Sequence, residues 1–408
     1  MGRAGVIVGR LARACRGALI VAITLGLVPV GPLLAAERAA VSAGIAAKPL
    51  GQDQTRRLIS LARPRLKDAA GWARDILWAL QFSGLSRSAE NVCALIATID
   101  QESNFKANPP VEGLGRRAIA ALKARLEGTG LNALVLRTLF AADPSIKRRL
   151  FERLRAARTE RDIDVAYRKL IGETLTIQSI IELDRDYGLG AAEFLEARNE
   201  ITTIGSMQVS VASALEFERR YLGRPLYFED IYRVRDYLYT RRGGILAGTR
   251  QLLAYRSGYT RKVHRFADYN AGRHSSRNAA FQWVVSRLDG KDLALDGDLL
   301  IYKGQKASAA KSRTEQAIMR VAKASGLDLG ARQVRRDLLR EKDFGFTGTL
   351  TYTRLTALYK TTYGEDPPFA RIPEITLESV KLDRPLTTAW FARRVDGRYR
   401  RCLSRHAQ

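Results

Sequence analysis

The chain has 408 residues, 46% of them hydrophobic, and carries a formal net charge of +26. Its three histidines, His264, His274 and His406, show no metal-ligand spacing with cysteine, which argues against zinc and gives no sign of any cofactor. So basic a chain suits an anionic polymer or an anionic membrane surface; nucleic acid is disfavoured because no compact aromatic-and-basic recognition motif is present.

Taken from the start, residues 1–36 read as a secretory signal peptide. Arg3, Arg10, Arg13 and Arg16 form a basic start, an apolar run follows over residues 18–34, and Leu34-Ala35-Ala36 offers a cleavage site. Pro29 and Pro32 make that run a poor membrane-spanning helix, and Cys15 precedes it, so a lipoprotein cleavage site does not fit. Periplasm or cell envelope is the expected location. Residues 37–84 form an N-terminal helical segment, with helices expected over 52–62 and 70–80.

The next helix carries the most chemistry. Ser88 reads as its N-cap, with Glu90 in the first turn, and Val92, Leu95, Ile96 and Ile99 share one apolar face. Three residues further along the same stripe stands Glu102, whereas Asp100 points to roughly the opposite side. A carboxylate beside apolar packing resists ionisation, as a general acid requires. Taken alone, Glu102 reads more readily as the polar edge of the stripe, reaching solvent.

Downstream lie Gly205-Ser206-Met207-Gln208-Val209 and Tyr269-Asn270-Ala271-Gly272. Each alone is an ordinary turn with a core methionine or tyrosine. Between them lie Gly244-Ile245-Leu246-Ala247-Gly248 and Leu252-Leu253. The last part, residues 289–408, reads as a mainly helical extension. One strand is expected over 299–302, a capping box at Ser312 and Glu315 starts a helix ending near Gly326, and further helices fall at 331–340 and 352–359.

In their order, Glu102-Ser103-Asn104-Phe105, Gly205 to Val209 and Tyr269 to Gly272 resemble the three motifs of the lysozyme-like lytic transglycosylases, the family that contains the soluble bacterial enzyme. The resemblance implies a lysozyme-like α+β catalytic core within a mainly α protein, spanning residues 85–288 with a helical insertion at about 106–200. It implies that peptidoglycan glycan strands are the substrate, with Glu102 as sole catalytic acid and later base. Ser103 would orient Glu102 or touch substrate, Met207 and Gln208 would line the sugar groove, and Tyr269 and Asn270 would sit near the acid and the acetamido group. Two departures stand out: the insertion separates the first two motifs far more than is usual, and Asp268 occupies a position commonly held by a small residue.

Most glycosidases use two carboxylates. Here Asp268 is the candidate second one, and if it activates water the enzyme is a hydrolytic muramidase; a non-catalytic wall-binding or scaffolding protein is the alternative from another class. The insertion either walls the groove or binds a partner, or it only adds core. Its charged stretches at 116–126 and 146–156 are amphipathic. Removal of the signal leaves Cys93 and Cys402. They could pair in an oxidising compartment, but Cys93 borders the apolar stripe, and the expectation is an ordinary buried thiol.

Overall fold

Leu50, almost fully buried, anchors the start of the folded chain. The computed structural model describes residues 48–129, 131–174, 191–196, 199–303, 306–377 and 386–408; the expected signal over 1–36 lies outside them. Pro49–Gln408 is one compact unit. Its secondary structure is mainly helical, with three short antiparallel hairpins among the described residues.

Helix α1 (Gln52–Ala62) starts where the Gly51 amide donates to the Gln54 side chain at 3.0 Å. In α2 (Ala69–Phe82) the cap is Asp68, whose carboxylate accepts from the Gly71 amide at 2.9 Å. Its Trp72, Ile76 and Leu80 are buried. Helix α3 (Ala89–Ser103) begins as its sequence indicates, with Ser88 accepting from the Asn91 amide at 3.3 Å. Val92, Leu95, Ile96 and Ile99 lie in the core, each worth roughly 2 kcal/mol on burial. Asp100 does face the other way, accepting from Arg63 and, at 2.8 Å, from Arg398.

The inserted segment contributes α4 (Leu114–Glu127), α5 (Leu131–Ala142), α6 (Pro144–Ala156), α7 (Glu160–Thr174) and the short α8 (Ala191–Glu196). Backbone pairing of Pro110 with Thr159 closes its first loop. A buried ionic cluster fastens it to the rest. The Arg235 guanidinium, wholly enclosed, pairs with Asp164 of α7 at 2.7 Å and with Glu196 of α8, and donates to the Ile201 carbonyl at 2.8 Å. Burial pushes the Glu196 carboxyl up to about 7 even though Arg235 opposes it.

Strands β1 (Thr203–Ile204) and β2 (Val209–Ser210) flank the second motif as a hairpin. Next come α9 (Val211–Leu222), α10 (Phe228–Leu238), α11 (Arg241–Leu252), α12 (Lys262–Ala271) and α13 (Ser275–Asp289). The expected strand at 299–302 is shifted: β3 is Tyr302–Lys303, paired with β4 (Lys306–Ala307), while Leu299 and Leu300 turn inward. Those two leucines join a second core built with α13, α14 (Arg313–Ala324), α15 (Ala331–Leu338), a 3-10 turn (Phe344–Gly348) and α16 (Leu350–Tyr363).

Strand β5 (Thr376–Leu377) pairs with β6 (Leu386–Thr387), which leads into the terminal helix α17 (Thr388–Ala407). This long helix packs mainly against α3 and α12. Its Phe391, Ala392, Val395 and Tyr399 enter the same core as Leu50, Trp72 and the α3 stripe. Cys402 and Cys93 are joined in a disulfide, contrary to the expectation of a lone buried thiol. The docking of α17 brings their Cα atoms to 5.5 Å, a proximity that spacing along the chain cannot reveal.

Candidate active site

Glu102 sits in the last turn of α3, half-buried. The helix stops directly after it because Asn104 and Phe105 both take left-handed backbone angles, φ 51° and 59°. Asparagine tolerates this conformation; phenylalanine does so only where packing compensates. Here Phe105 is buried and meets the Trp72 ring edge-on, with centroids 5.2 Å apart. Ser103 is buried: its hydroxyl donates to the Ile99 carbonyl at 3.1 Å and accepts from the Lys106 amide at 3.3 Å. It shapes the turn that presents Glu102.

The second motif folds around Gly205, at φ 83°, where a Cβ would stand 2.3 Å from the Leu238 carbonyl oxygen. Met207 is wholly buried, so its side chain packs in the core and does not line an open groove. It sits on Gly248 of α11, where a Cβ would lie 2.3 Å from the Met207 sulfur. The glycine-bearing helix is therefore a seat for this motif. Gln208, at φ 50°, is half-buried and held on all sides. Its amide nitrogen donates to Glu160 at 3.1 Å and to the Gly205 carbonyl at 3.2 Å, and its oxygen accepts from the Thr203 hydroxyl at 3.0 Å.

The third motif closes the arrangement. The Tyr269 hydroxyl donates to the Met207 carbonyl at 2.6 Å, and the Tyr269 carbonyl accepts from Gln251 of α11 at 3.1 Å. Burial raises this phenol well above its usual range, and the negative charge of Glu102 adds to the shift. Asn270 is exposed and accepts from the Thr388 hydroxyl at 3.0 Å, which joins the motif to the start of α17.

Asp268 lies next to Tyr269 in sequence but points elsewhere. It is buried and accepts from the hydroxyls of Tyr255 at 3.1 Å and Tyr259 at 2.8 Å, and from the amides of His274 at 2.8 Å and Ser276 at 2.7 Å. These bonds fasten the beginning of α13, and they occupy the carboxylate that a muramidase would need to activate water. Burial raises its pKa while the hydrogen bonds pull it down.

Among the described residues, non-glycine positive φ occurs at Asp68, Asn104, Phe105, Gln208 and His274. Three of these positions lie within the first two motifs and His274 follows the third, a concentration of strained backbone of the kind found at functional sites. Sequence reasoning missed Glu160, the insertion residue that fixes Gln208. Its one signal was an acid at the start of an amphipathic segment. Among the described residues no group of three or more His, Cys, Asp or Glu side chains could hold a metal ion, and no helix is long and apolar enough to cross a membrane.

A family model described as "Protein of unknown function (DUF1615)" matches residues 65–405. The chain belongs to the DUF1615 family. It is also 36% identical over 338 residues to the "Uncharacterized protein YaiW" of Escherichia coli (strain K12), covering 83% of this chain and 86% of that protein. No solved structure matches. The matched span contains all three motifs, the insertion and most of α17, so the whole arrangement around Glu102 lies within the family's domain.

Proposed function

We propose that this DUF1615 protein is an exported peptidoglycan lytic transglycosylase with a lysozyme-like catalytic core and Glu102 as its acid and base. The observation that carries the reading is the convergence of motifs far apart in sequence. The charge of Glu102 acts on Tyr269, Tyr269 bonds to Met207, and Met207 packs on the glycine helix. The disulfide between Cys93 and Cys402 supports export, since such bonds persist in oxidising compartments such as the periplasm.

Glu102 donates its proton to the glycosidic oxygen between N-acetylmuramic acid and N-acetylglucosamine as the bond breaks. The muramic acid N-acetyl group stabilises the positive charge at C1. The 6-hydroxyl oxygen of the same sugar then attacks C1 and returns its proton to Glu102, giving a 1,6-anhydro end with no water consumed. Attack within one sugar has a high effective molarity, so a single carboxylate suffices. The commitment of Asp268 to α13 favours this route over hydrolysis by two carboxylates. Ser103, Met207 and Gln208 act by holding the site's shape, while exposed Asn270 is the motif residue best placed to reach a sugar.

The test is dye release from labelled cell-wall sacculi by residues 37–408. Release that drops at least about a hundredfold in Glu102→Gln supports the reading. Equal release by the variant removes Glu102 from the chemistry, and binding without release by either protein points to a wall-binding scaffold.

A further inference from the structure

A surface beside the candidate site combines exposed aromatic rings with arginines in one connected array. Trp78 and Phe82 of α2 stack with centroids 5.1 Å apart. Arg242 of α11 lies 3.7 Å over Trp78, and Arg250, two turns along, covers Phe82 at 5.4 Å and Phe217 of α9 at 4.5 Å. Tyr237 feels the charge of both arginines. Phe82 is 58% exposed, Phe217 46% and Tyr237 42%, which is unusual for rings with neighbours so close at hand.

The charges are as telling as the rings. Among the described residues neither Arg242 nor Arg250 meets a carboxylate, although ion pairs are abundant elsewhere: Arg241, one residue away, pairs with Asp68 and Asp75. Arg273 extends the array, donating to the Arg250 carbonyl at 3.5 Å, and it feels the charge of Arg220. Unneutralised arginines lying on aromatic faces match a layer that offers anionic groups above an apolar interior. Aromatic rings settle at the headgroup level, and arginine stems lie along apolar surface while their heads reach phosphate.

We propose that this aromatic–arginine face docks the protein on an anionic lipid bilayer surface. The inference does not depend on the proposed catalysis, because none of these side chains belongs to the three motifs.

Co-sedimentation of residues 37–408, which contain the whole compact unit, with phosphatidylglycerol–phosphatidylcholine vesicles tests it. Binding is expected to require phosphatidylglycerol and to weaken with salt. Arg242→Ala with Arg250→Ala should weaken it roughly thirtyfold, at about fivefold for each arginine. Phe82→Ser with Phe217→Ser should weaken it by at least about tenfold. The control pair Arg332→Ala with Arg336→Ala, two exposed residues of α15, should stay within about twofold. Circular dichroism confirms that each variant is folded. Absence of vesicle binding overturns the proposal, as does an equal loss in the control pair, which would mean diffuse charge. Loss of sacculus binding in the arginine pair with vesicle binding intact would assign the face to the wall polymer.

Discussion

Reducing the Cys93–Cys402 disulfide gives a large and calculable loss of stability. The two residues are 309 positions apart, and a cross-link closing a loop of that size removes on the order of 5–6 kcal/mol of chain entropy from the unfolded state. Measured values generally fall below that figure, so a loss of about 3–5 kcal/mol is expected. The native state itself should change little, because α17 keeps its buried Phe391, Ala392 and Val395 and the 2.8 Å bond between Arg398 and Asp100. The assay is urea unfolding of residues 37–408 followed by tryptophan fluorescence, oxidised and reduced, beside Cys93→Ala with Cys402→Ala. Titration of free thiols in the unfolded, unreduced protein gives an independent count. A stability change below about 1 kcal/mol, or two titratable thiols without reductant, would refute the reasoning.

Three further outcomes follow from packing and ionisation. Gly248→Ala should destabilise by about 1–3 kcal/mol, since its methyl group would lie 2.3 Å from the Met207 sulfur and 2.7 Å from its Cβ. The share of that loss due to the sulfur should vanish when Met207→Ala is added, while the Cβ contact remains, and strict additivity in a double-mutant cycle would count against the contact. Tyr269→Phe should cost about 1–3 kcal/mol by leaving the buried Met207 carbonyl without its donor, which thermal unfolding would show as a lower Tm. Glu341 is wholly buried, and burial pushes its carboxyl up to about 7. A raised folded-state pKa gives stability that is full below about pH 4.5 and is lost as pH rises through about 7. Relative to Glu341→Gln, the parent chain should therefore weaken by up to about 3 kcal/mol between pH 4.5 and 8; parallel stability curves would refute that assignment.

What could be read from the sequence was local. The α3 stripe and its Ser88 cap follow from spacing within one helix, and the structure reproduces them. The terminal helix falls in the extension that reads as mainly helical, but its apolar positions, Phe391, Val395, Tyr399 and Cys402, are interleaved with arginines and do not mark its ends. Its role appears only once it lies on α3 and α12, and the disulfide depends on that docking. Asp268 and Tyr269 show the same limit on a smaller scale. Adjacent helical residues diverge by about a hundred degrees, so one reaches Met207 while the other fastens α13. The pairing of Glu160 with Gln208 ties the insertion to the second motif across a separation of 48 residues, which chain spacing does not reveal. Glycines of α11 were visible as a pattern, but their function as a seat for Met207 required the third dimension.

The most direct measurement is mass spectrometry of the muropeptides released from purified peptidoglycan by residues 37–408, with Glu102→Gln in parallel. The account predicts 1,6-anhydro-muramyl products from the parent chain and none from the variant. Products with reducing ends, or anhydro products that persist without the Glu102 carboxylate, would contradict it.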